Sequence, residues 1–390
     1  MIYDAVIVGA GYCGAVTARC LADYGKQVLV LEKRDHIGGN AYDYLDENQV
    51  LRHQYGPHIF HTDSKQAADF LSRFTDWFPY EHRVLGYIEG KLVPIPFNLT
   101  SIEMLFPKEK ADHLKQVLID AYGMDHKVPI LELRKNEDPE IQELADYIFE
   151  HVFKYYTMKQ WGYTAEEIDP AVTGRVPVLV SYDDRYFRNQ YQQMPKKGYT
   201  AMFQRMLNHP GIHLELSTDS SARLKVDPET KKVFLDGLEY QGTVVYTGLV
   251  DELLDCRLGE LSYRSLEFDV ETKDGDYQPV TTVNYPTPAE QHPYTRISEY
   301  KKMMLHPPVG KTTIAIEYPY AYDRHGKKGN VPYYPVFTEA SKQRYQDYVN
   351  LIQGIPNLHL LGRLAEYRYY DMDAAVDAAL ELSRKLLAEG

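Results

Sequence analysis

The segment from Tyr3 to Glu32 limits what this chain can become more than any other. Tyr3-Asp4-Ala5-Val6-Ile7-Val8 reads as a buried strand and runs directly into Gly9-Ala10-Gly11-Tyr12-Cys13-Gly14. A helix is expected from Ala15 to Tyr24, closed by Gly25, and a second strand from Gln27 to Leu31 ends on Glu32, 18 residues beyond Gly14. Strand, G-x-G-x-x-G turn, helix, strand and acid at this spacing form the fingerprint of a dinucleotide-binding unit. Each part has a physical task. Gly9 permits the tight turn, Gly11 lets the backbone approach a pyrophosphate, and Gly14 lets helix and strand pack closely. The helix N-terminus offers unpaired N–H groups and the positive end of its dipole, and Glu32 is placed to grip a ribose hydroxyl.

A phosphate-bearing ligand meets an acidic background here, because the 390 residues carry a formal net charge of -13. That balance argues against a nucleic-acid partner and makes the positions of individual arginines decisive. The length suits two or three domains. Three cysteines, Cys13, Cys20 and Cys256, form no C-x-x-C pair, which suits a reduced compartment, and no metal site is suggested. No apolar run reaches membrane-spanning length and no leader pattern precedes the first strand, so a cytoplasmic location without membrane partners is expected. Tyrosine is abundant, 34 against 13 phenylalanines. Its ring stacks while its hydroxyl reaches phosphate or sugar oxygens, although amphipathic packing accounts for many of them.

Beyond Glu32 and Lys33 comes a second glycine turn, Gly38-Gly39-Asn40. In flavoproteins of the glutathione-reductase and amine-oxidase type a Gly-Gly turn here touches the cofactor, which by resemblance tilts the expectation from NAD to FAD. Tyr55-Gly56-Pro57-His58-Ile59-Phe60-His61-Thr62 is a stiff loop with two histidines, each open to a structural or a functional reading. A hairpin is expected at Val84–Ile88 and Lys91–Pro96, and a helix from Ile102 to Tyr122. Asp138 and Pro139 open an amphipathic helix ended by Gly162. Periodicity reads Phe149, Phe153 and Tyr156 as core, while the aromatics crowded at the helix end, Trp161 among them, equally suit stacking on a nucleobase.

Arg175, between Gly174 and Pro177, reads either as a cation on a mobile loop or as a solvated surface residue. Strands are then expected at Ile212–Leu216, Val233–Leu235, Thr243–Tyr246 before Thr247-Gly248, and Leu358–Leu361 before Gly362-Arg363. A final helix follows Asp371 from Met372 to Leu387, its free N–H groups suited to the pyrimidine end of a flavin. The fold expected is α/β: a discontinuous Rossmann-like FAD-binding domain (1–78, 198–250 and 356–390), an inserted helical substrate domain (99–172, with a mobile loop near 170–180) and an antiparallel β-sheet domain (79–98, 173–197 and 251–355).

Taken together, Gly38-Gly39-Asn40, Gly56-Pro57-His58-Ile59-Phe60-His61-Thr62, Tyr156-Thr157-Met158-Lys159-Gln160-Trp161-Gly162, Asp183-Asp184-Arg185-Tyr186-Phe187, Pro293-Tyr294-Thr295-Arg296 and Tyr367-Arg368-Tyr369-Tyr370-Asp371-Met372 resemble the bacterial UDP-galactopyranose mutase family. The resemblance implies interconversion of UDP-galactopyranose and UDP-galactofuranose without net redox change, with N5 of reduced FAD as nucleophile at the anomeric carbon and an external donor to reduce it. It implies that Arg175 and Arg296 hold the diphosphate, with Tyr186, Tyr318, Tyr369 and Asp371. It further implies that Phe153, Tyr156, Trp161 and Asn284 surround the uridine, and that His61 lies beside the flavin. The flavin itself would contact Gly9, Gly11, Gly14, Glu32, Lys33, Gly38, Gly39, Asn40, His61, Thr247, Gly248, Gly362, Arg363, Asp371 and Met372. Two positions depart from the family pattern: Val152 where an aromatic is common, and Leu179 where a base is expected. An FAD amine oxidase-like oxidoreductase and a non-catalytic nucleotide-sugar-binding flavoprotein remain alternatives at this level. Monomer, homodimer and higher homo-oligomer are all compatible with the sequence.

Overall fold

The computed structural model describes residues 3–163 and 176–389. Its central layer is a parallel five-stranded sheet. Strand β1 (Ala5–Val8) lies between β2 (Val28–Leu31) and Thr243–Tyr246, with Ile212–Glu215 and Leu358–Leu360 at the two edges. All four residues of β1 and all four of β2 are buried. The reason is that both faces are covered, so alternate side chains enter different cores. Ile7, Val30 and Val245 pack on the side of helices α1 (Tyr12–Asp23), Tyr199–Leu207 and Met372–Glu389, whereas Val6, Leu29 and Val244 enter a second cluster with Tyr348 and Tyr367. The unit is α/β and Rossmann-like, as expected, and three separated pieces of chain supply its strands.

The G-x-G-x-x-G turn works as its spacing implies, except that α1 begins inside the motif, at Tyr12. Gly9 adopts φ +100°, a left-handed conformation that side-chain-bearing residues rarely adopt. A Cβ on Gly14 would overlap the Gly9 carbonyl and sit 3.2 Å from Ile7 Cγ2, so only glycine lets α1 lie this close to β1.

A seven-stranded sheet forms a second layer; it is antiparallel, as expected, except where Thr282–Asn284 runs parallel to Val84–Ile88. It includes the hairpin Val84–Ile88/Lys91–Ile95, which turns at Glu89-Gly90 as expected, and Thr282–Asn284, Arg296–Glu299, Lys311–Ala321 and Tyr263–Asp274. The third part is helical, and its Leu114, Leu118, Ile141, Leu144 and Ile148 share one core with Val84, Ile88 and Val93 of the hairpin.

Several expectations are corrected. The helix over 102–122 is two helices, Leu99–Leu105 and Lys108–Tyr122, because Pro107 cannot continue the first and instead precedes the second. The amphipathic helix begins as expected, Asp138 capping the Glu140 N–H at 2.8 Å with Pro139 in the first turn. It then widens into a π-helical stretch at Phe149–Lys154 before resuming at Tyr155–Trp161, with Gly162 left-handed at its end. Val233–Leu235 does not join the parallel sheet but belongs to an antiparallel meander, Leu224–Asp227, Lys232–Leu235 and Leu238–Glu239. Within 173–197, expected to belong with the large sheet, Val178–Val180 pairs with His126–Val128, and Tyr191–Pro195 pairs with Phe60–Thr62 and Trp77–Pro79. The division into three parts is otherwise retained as our proposal. Among the described residues no helix is long and apolar enough to cross a membrane.

Candidate functional site

The first cavity, about 700 Å³, opens at the carboxyl ends of β1 and β2. Gly9, Gly11, Gly38, Gly39, Thr247, Gly248 and Gly362 line it, together with Glu32, Lys33, Asn40, Arg363, Asp371 and Met372. Glu32 is fixed from both sides: Oε2 accepts the Ala10 N–H at 2.8 Å and Oε1 the Arg34 N–H at 2.9 Å. A carboxylate so held keeps lone pairs for a hydroxyl donor. The floor tolerates no side chain at its close approaches. A Cβ on Gly39 would lie 3.0 Å from Gly11 Cα, and one on Gly362, at φ +93°, 2.8 Å from Cys13 Sγ. Tyr12 and Arg34 also line this cavity, and Tyr12 Oη and Arg34 Nη1 are buried without hydrogen-bond partners among the described residues. Bare backbone at the end of β1, a helix N-terminus, an acid at the end of β2 and orphaned donors fit a dinucleotide. Gly14 lies beneath the cavity rather than in it, consistent with a packing task.

A second cavity, about 560 Å³, abuts the first. Asn40, His58, Tyr333, Arg363, Asp371 and Met372 line both. Arg363 ties this junction together: Nη1 donates to Tyr333 O at 3.2 Å and Nη2 to Tyr370 O at 2.5 Å, while its guanidinium lies 4.9 Å from the Tyr334 ring and 5.3 Å from that of Tyr369. Tyr369 Oη in turn donates to Asp371 Oδ1 at 2.9 Å.

The second cavity gathers Phe153, Tyr156, Trp161, Tyr186, Asn284, Arg296, Tyr369 and His61. The π-helical stretch turns the later residues of its helix relative to the earlier ones, so Ile141, Leu144 and Ile148 stay in the helical core while Phe153, Tyr156 and Trp161 reach the cavity. Val152 remains in that core and takes no part in the cavity. Lys159 anchors the helix end by donating to the carbonyls of Tyr285, His292 and Tyr294 at 2.7, 2.9 and 2.7 Å. Burial pushes its ammonium down to about 8.

Arg296 is set on a buried acid. Its Nε donates to Glu317 Oε2 at 2.8 Å, and Glu317 is 1% exposed. Burial works against the guanidinium's charge, but Glu317 and the nearby Tyr156 and Tyr334 hydroxyls outweigh it and raise its pKa. The cation is therefore permanent and aimed.

Two of the expected residues stand elsewhere. Tyr318, next to Glu317 on the strand, does not line the second cavity, because neighbouring residues of a strand face opposite sides; its ring meets Tyr294 edge-on at 6.0 Å. His61 lines only the second cavity, stacked on Phe187 at 3.4 Å with Nδ1 3.0 Å from Asn189 Oδ1. Arg175 lies outside the described residues.

Sequence reading passed over Arg188 and Lys127 and left His58 open between a structural and a functional role; all three line a cavity. His58 stands at the junction. Its Nδ1 lies 2.9 Å from Gly56 O, which requires the proton on Nδ1 and leaves Nε2 as an acceptor, and burial holds its pKa down to about 3. The stiff Gly-Pro-His turn was the signal for it.

A split Rossmann-type sheet whose dinucleotide cleft continues into a cation-bearing cavity defines a flavoenzyme-type fold. The comparisons narrow this. A family model described as UDP-galactopyranose mutase matches residues 151–369, and one for an NAD(P)-binding Rossmann-like domain matches 7–74. A probable UDP-galactopyranose mutase of Klebsiella pneumoniae is 34% identical over 98% of this chain and 94% of its own length. A dTDP-fucopyranose mutase of Escherichia coli is 33% identical over 97% of both. A crystal structure of a reduced UDP-galactopyranose mutase superposes with TM-score 0.73 over 100% of this chain and 95% of its own, at 16% identity. The chain belongs to the UDP-galactopyranose mutase family, and it is an enzyme of the isomerase class.

Proposed function

We propose that this enzyme interconverts UDP-galactopyranose and UDP-galactofuranose with FAD in the first cavity and the nucleotide sugar in the second. The observation that carries this reading is the shared wall of the two cavities, with the Glu317-braced Arg296 in the second. Bound FAD, kept reduced by an external donor, supplies through N5 the nucleophile for the anomeric carbon, so that there is no net redox change.

The chain's own residues do the rest. Gly9, Gly11, Gly38, Gly39, Thr247, Gly248 and Gly362 offer backbone surface to the cofactor's pyrophosphate, and Glu32 accepts from its ribose while Lys33 and Asn40 flank it. Asp371, Met372 and the helix they begin face its ring end, with Arg363 bracing that wall. Phe153, Tyr156 and Trp161 stack on or enclose the uracil, with Asn284 Oδ1, buried and without a partner among the described residues, as a polar contact. Arg296 and Arg175 neutralise the diphosphate as it departs, assisted by Tyr186 and by Tyr369 with Asp371, while Tyr318, on the opposite face of its strand, is left out; a preformed cation costs no reorganisation at that moment. His61 borders the sugar side.

The test is turnover. Purified protein reduced with dithionite should convert UDP-galactofuranose to the pyranose, and the oxidised protein should not. Absence of conversion under reduction would overturn the assignment, and oxygen uptake in step with substrate would point to an oxidase. Running dTDP-fucopyranose alongside decides which nucleotide sugar is preferred, a comparison prompted by the dTDP-sugar relative of nearly equal identity.

A further inference from the structure

The antiparallel pair His126–Val128/Val178–Val180 forms one wall of the second cavity, and its register sets Lys127 opposite Leu179. Directly paired residues share a face, and so do residues two apart on one strand. Lys127 and Leu179 therefore stand on the same side, and just beyond the strand ends Ser181 Oγ donates to Asp125 Oδ1 at 2.8 Å. Arg188 comes to this same side from a different part of the chain, its Nη1 4.0 Å from Asp125 Oδ1, and it too lines the cavity.

The guanidinium of Arg188 is poorly used within the protein. Its side chain is 17% exposed, yet Nε and Nη2 are buried and make no hydrogen bond among the described residues. The nearest carboxylates are already engaged. Asp183 holds Arg185 in a fork, with Oδ2 2.7 Å from Nη2 and Oδ1 2.9 Å from Nε, and stands 3.6 Å from Arg188 Nε. Asp125 accepts from Ser181. Buried donors without acceptors are costly, and more so on a charged group, so such groups need an explanation. Lys127 is exposed and lines the same cavity, and Leu179, paired with it across the two strands, brings no charge.

We propose that Arg188, together with Lys127, is an additional anion-binding group of the second cavity, taking a phosphate oxygen of the nucleotide sugar's diphosphate. The inference rests on reading that cavity as the nucleotide-sugar site. It assigns the cavity cationic groups separate in sequence from Arg296 and Arg363. An approaching diphosphate satisfies the orphaned donors of Arg188, and the exposed position of Lys127 favours capture of the anion from solvent.

Calorimetric titration of the FAD-loaded protein with UDP and with uridine tests this, using Arg188→Gln, which keeps the side-chain stem, Arg188→Lys and Lys127→Ala. Arg188→Gln should weaken UDP by about 10–50-fold and leave uridine within about 2-fold, because the lost contact is charge-assisted and made to phosphate. Arg188→Lys should recover most of the loss. Lys127→Ala, at an exposed position with little effect on folding, should weaken UDP about 2–5-fold and reduce the salt dependence of UDP binding. A UDP affinity unchanged in both Arg188→Gln and Lys127→Ala would overturn the proposal, as would uridine weakened as much as UDP, which would mark Arg188 as a packing residue. Wild-type protein that binds no UDP would overturn the nucleotide-sugar reading itself, whereas wild-type binding with unaffected variants removes the present inference alone.

Discussion

Replacing Arg296 by methionine separates the two tasks assigned to that side chain, bracing the fold and neutralising the diphosphate. Its guanidinium is 2.8 Å from a carboxylate that is 1% exposed. Without it, Glu317 keeps, among the described residues, only the Thr295 hydroxyl, at 3.3 Å, as a side-chain donor. At an effective dielectric of about 20, opposite charges 2.8 Å apart attract by roughly 6 kcal/mol before desolvation is subtracted. Removing one partner of such a buried pair costs about 3–5 kcal/mol, because an uncompensated charge stays behind. Arg296→Met should lose stability of that order at neutral pH in urea denaturation. The double variant Arg296→Met/Glu317→Gln removes the stranded charge, and its stability should return to within about 1–2 kcal/mol of the parent. Its turnover of UDP-galactopyranose should nevertheless remain about 10²–10³-fold below the parent, as low as in the single variant, since the cation is still missing. A single variant as stable as the parent would refute the structural half of this reasoning. A double variant that regained activity along with stability would refute the catalytic half.

Other perturbations probe the frame around the site. Burial holds the imidazoles of His53, His58 and His82 down to about 3 from the ordinary 6.5, so between these values the unfolded chain binds more protons than the folded one. Their contribution is complete above the ordinary value and is lost as the pH falls below it; urea midpoints should decline steadily under acid, by up to about 1.4 kcal/mol per pH unit for each histidine, and a flat profile would contradict the burial. Gly14→Ala should lose more than about 3 kcal/mol and bind no flavin, because the added methyl meets the Gly9 carbonyl, which is backbone and cannot rotate away; near-normal flavin absorbance would refute this. Lys159→Met strands three carbonyl acceptors and should cost about 1.5–3 kcal/mol, with weakened UDP binding as Trp161 and Tyr156 lose their anchor; unchanged stability and affinity would mean the clamp is dispensable.

What the sequence disclosed followed from how local each signal was. β1 was readable because a parallel strand covered on both faces must be apolar throughout, and Gly14 was readable because its clash partner lies five residues away. The π-helical turn at Phe149–Lys154 was hidden, since Phe149, Val152 and Phe153 are apolar whether the helix winds at 3.6 residues or more slowly. Val233–Leu235 alternates as any half-buried strand does, and nothing in its own residues says whether its neighbours run parallel or antiparallel. The face that Tyr318 presents depends on the register of Lys311–Ala321 against Arg296–Glu299, which only the paired strands fix. Arg188 carried no local signal at all. Its position matters because Arg185 occupies Asp183 and because a strand some 60 residues earlier brings Lys127 to the same wall.

The junction of the two cavities explains why such distant segments are brought together. Reaction between a bound cofactor and a bound sugar requires both to be held in one geometry, and effective molarities of about 10⁵ M or more are reached only when neither partner drifts. A site built wholly on the Rossmann sheet would fix the cofactor alone, and one built on the antiparallel sheet the sugar alone. Arg363, from the last parallel strand's exit, donates to Tyr333 of the segment entering the antiparallel sheet and to Tyr370 beside the final helix, and it is flanked by the rings of Tyr334 and Tyr369. The return of the chain to the Rossmann sheet after the insertions is therefore more than completion of a fold. It carries into the junction a side chain that is bonded on both sides, so that movement of either layer shifts the wall the two cavities share.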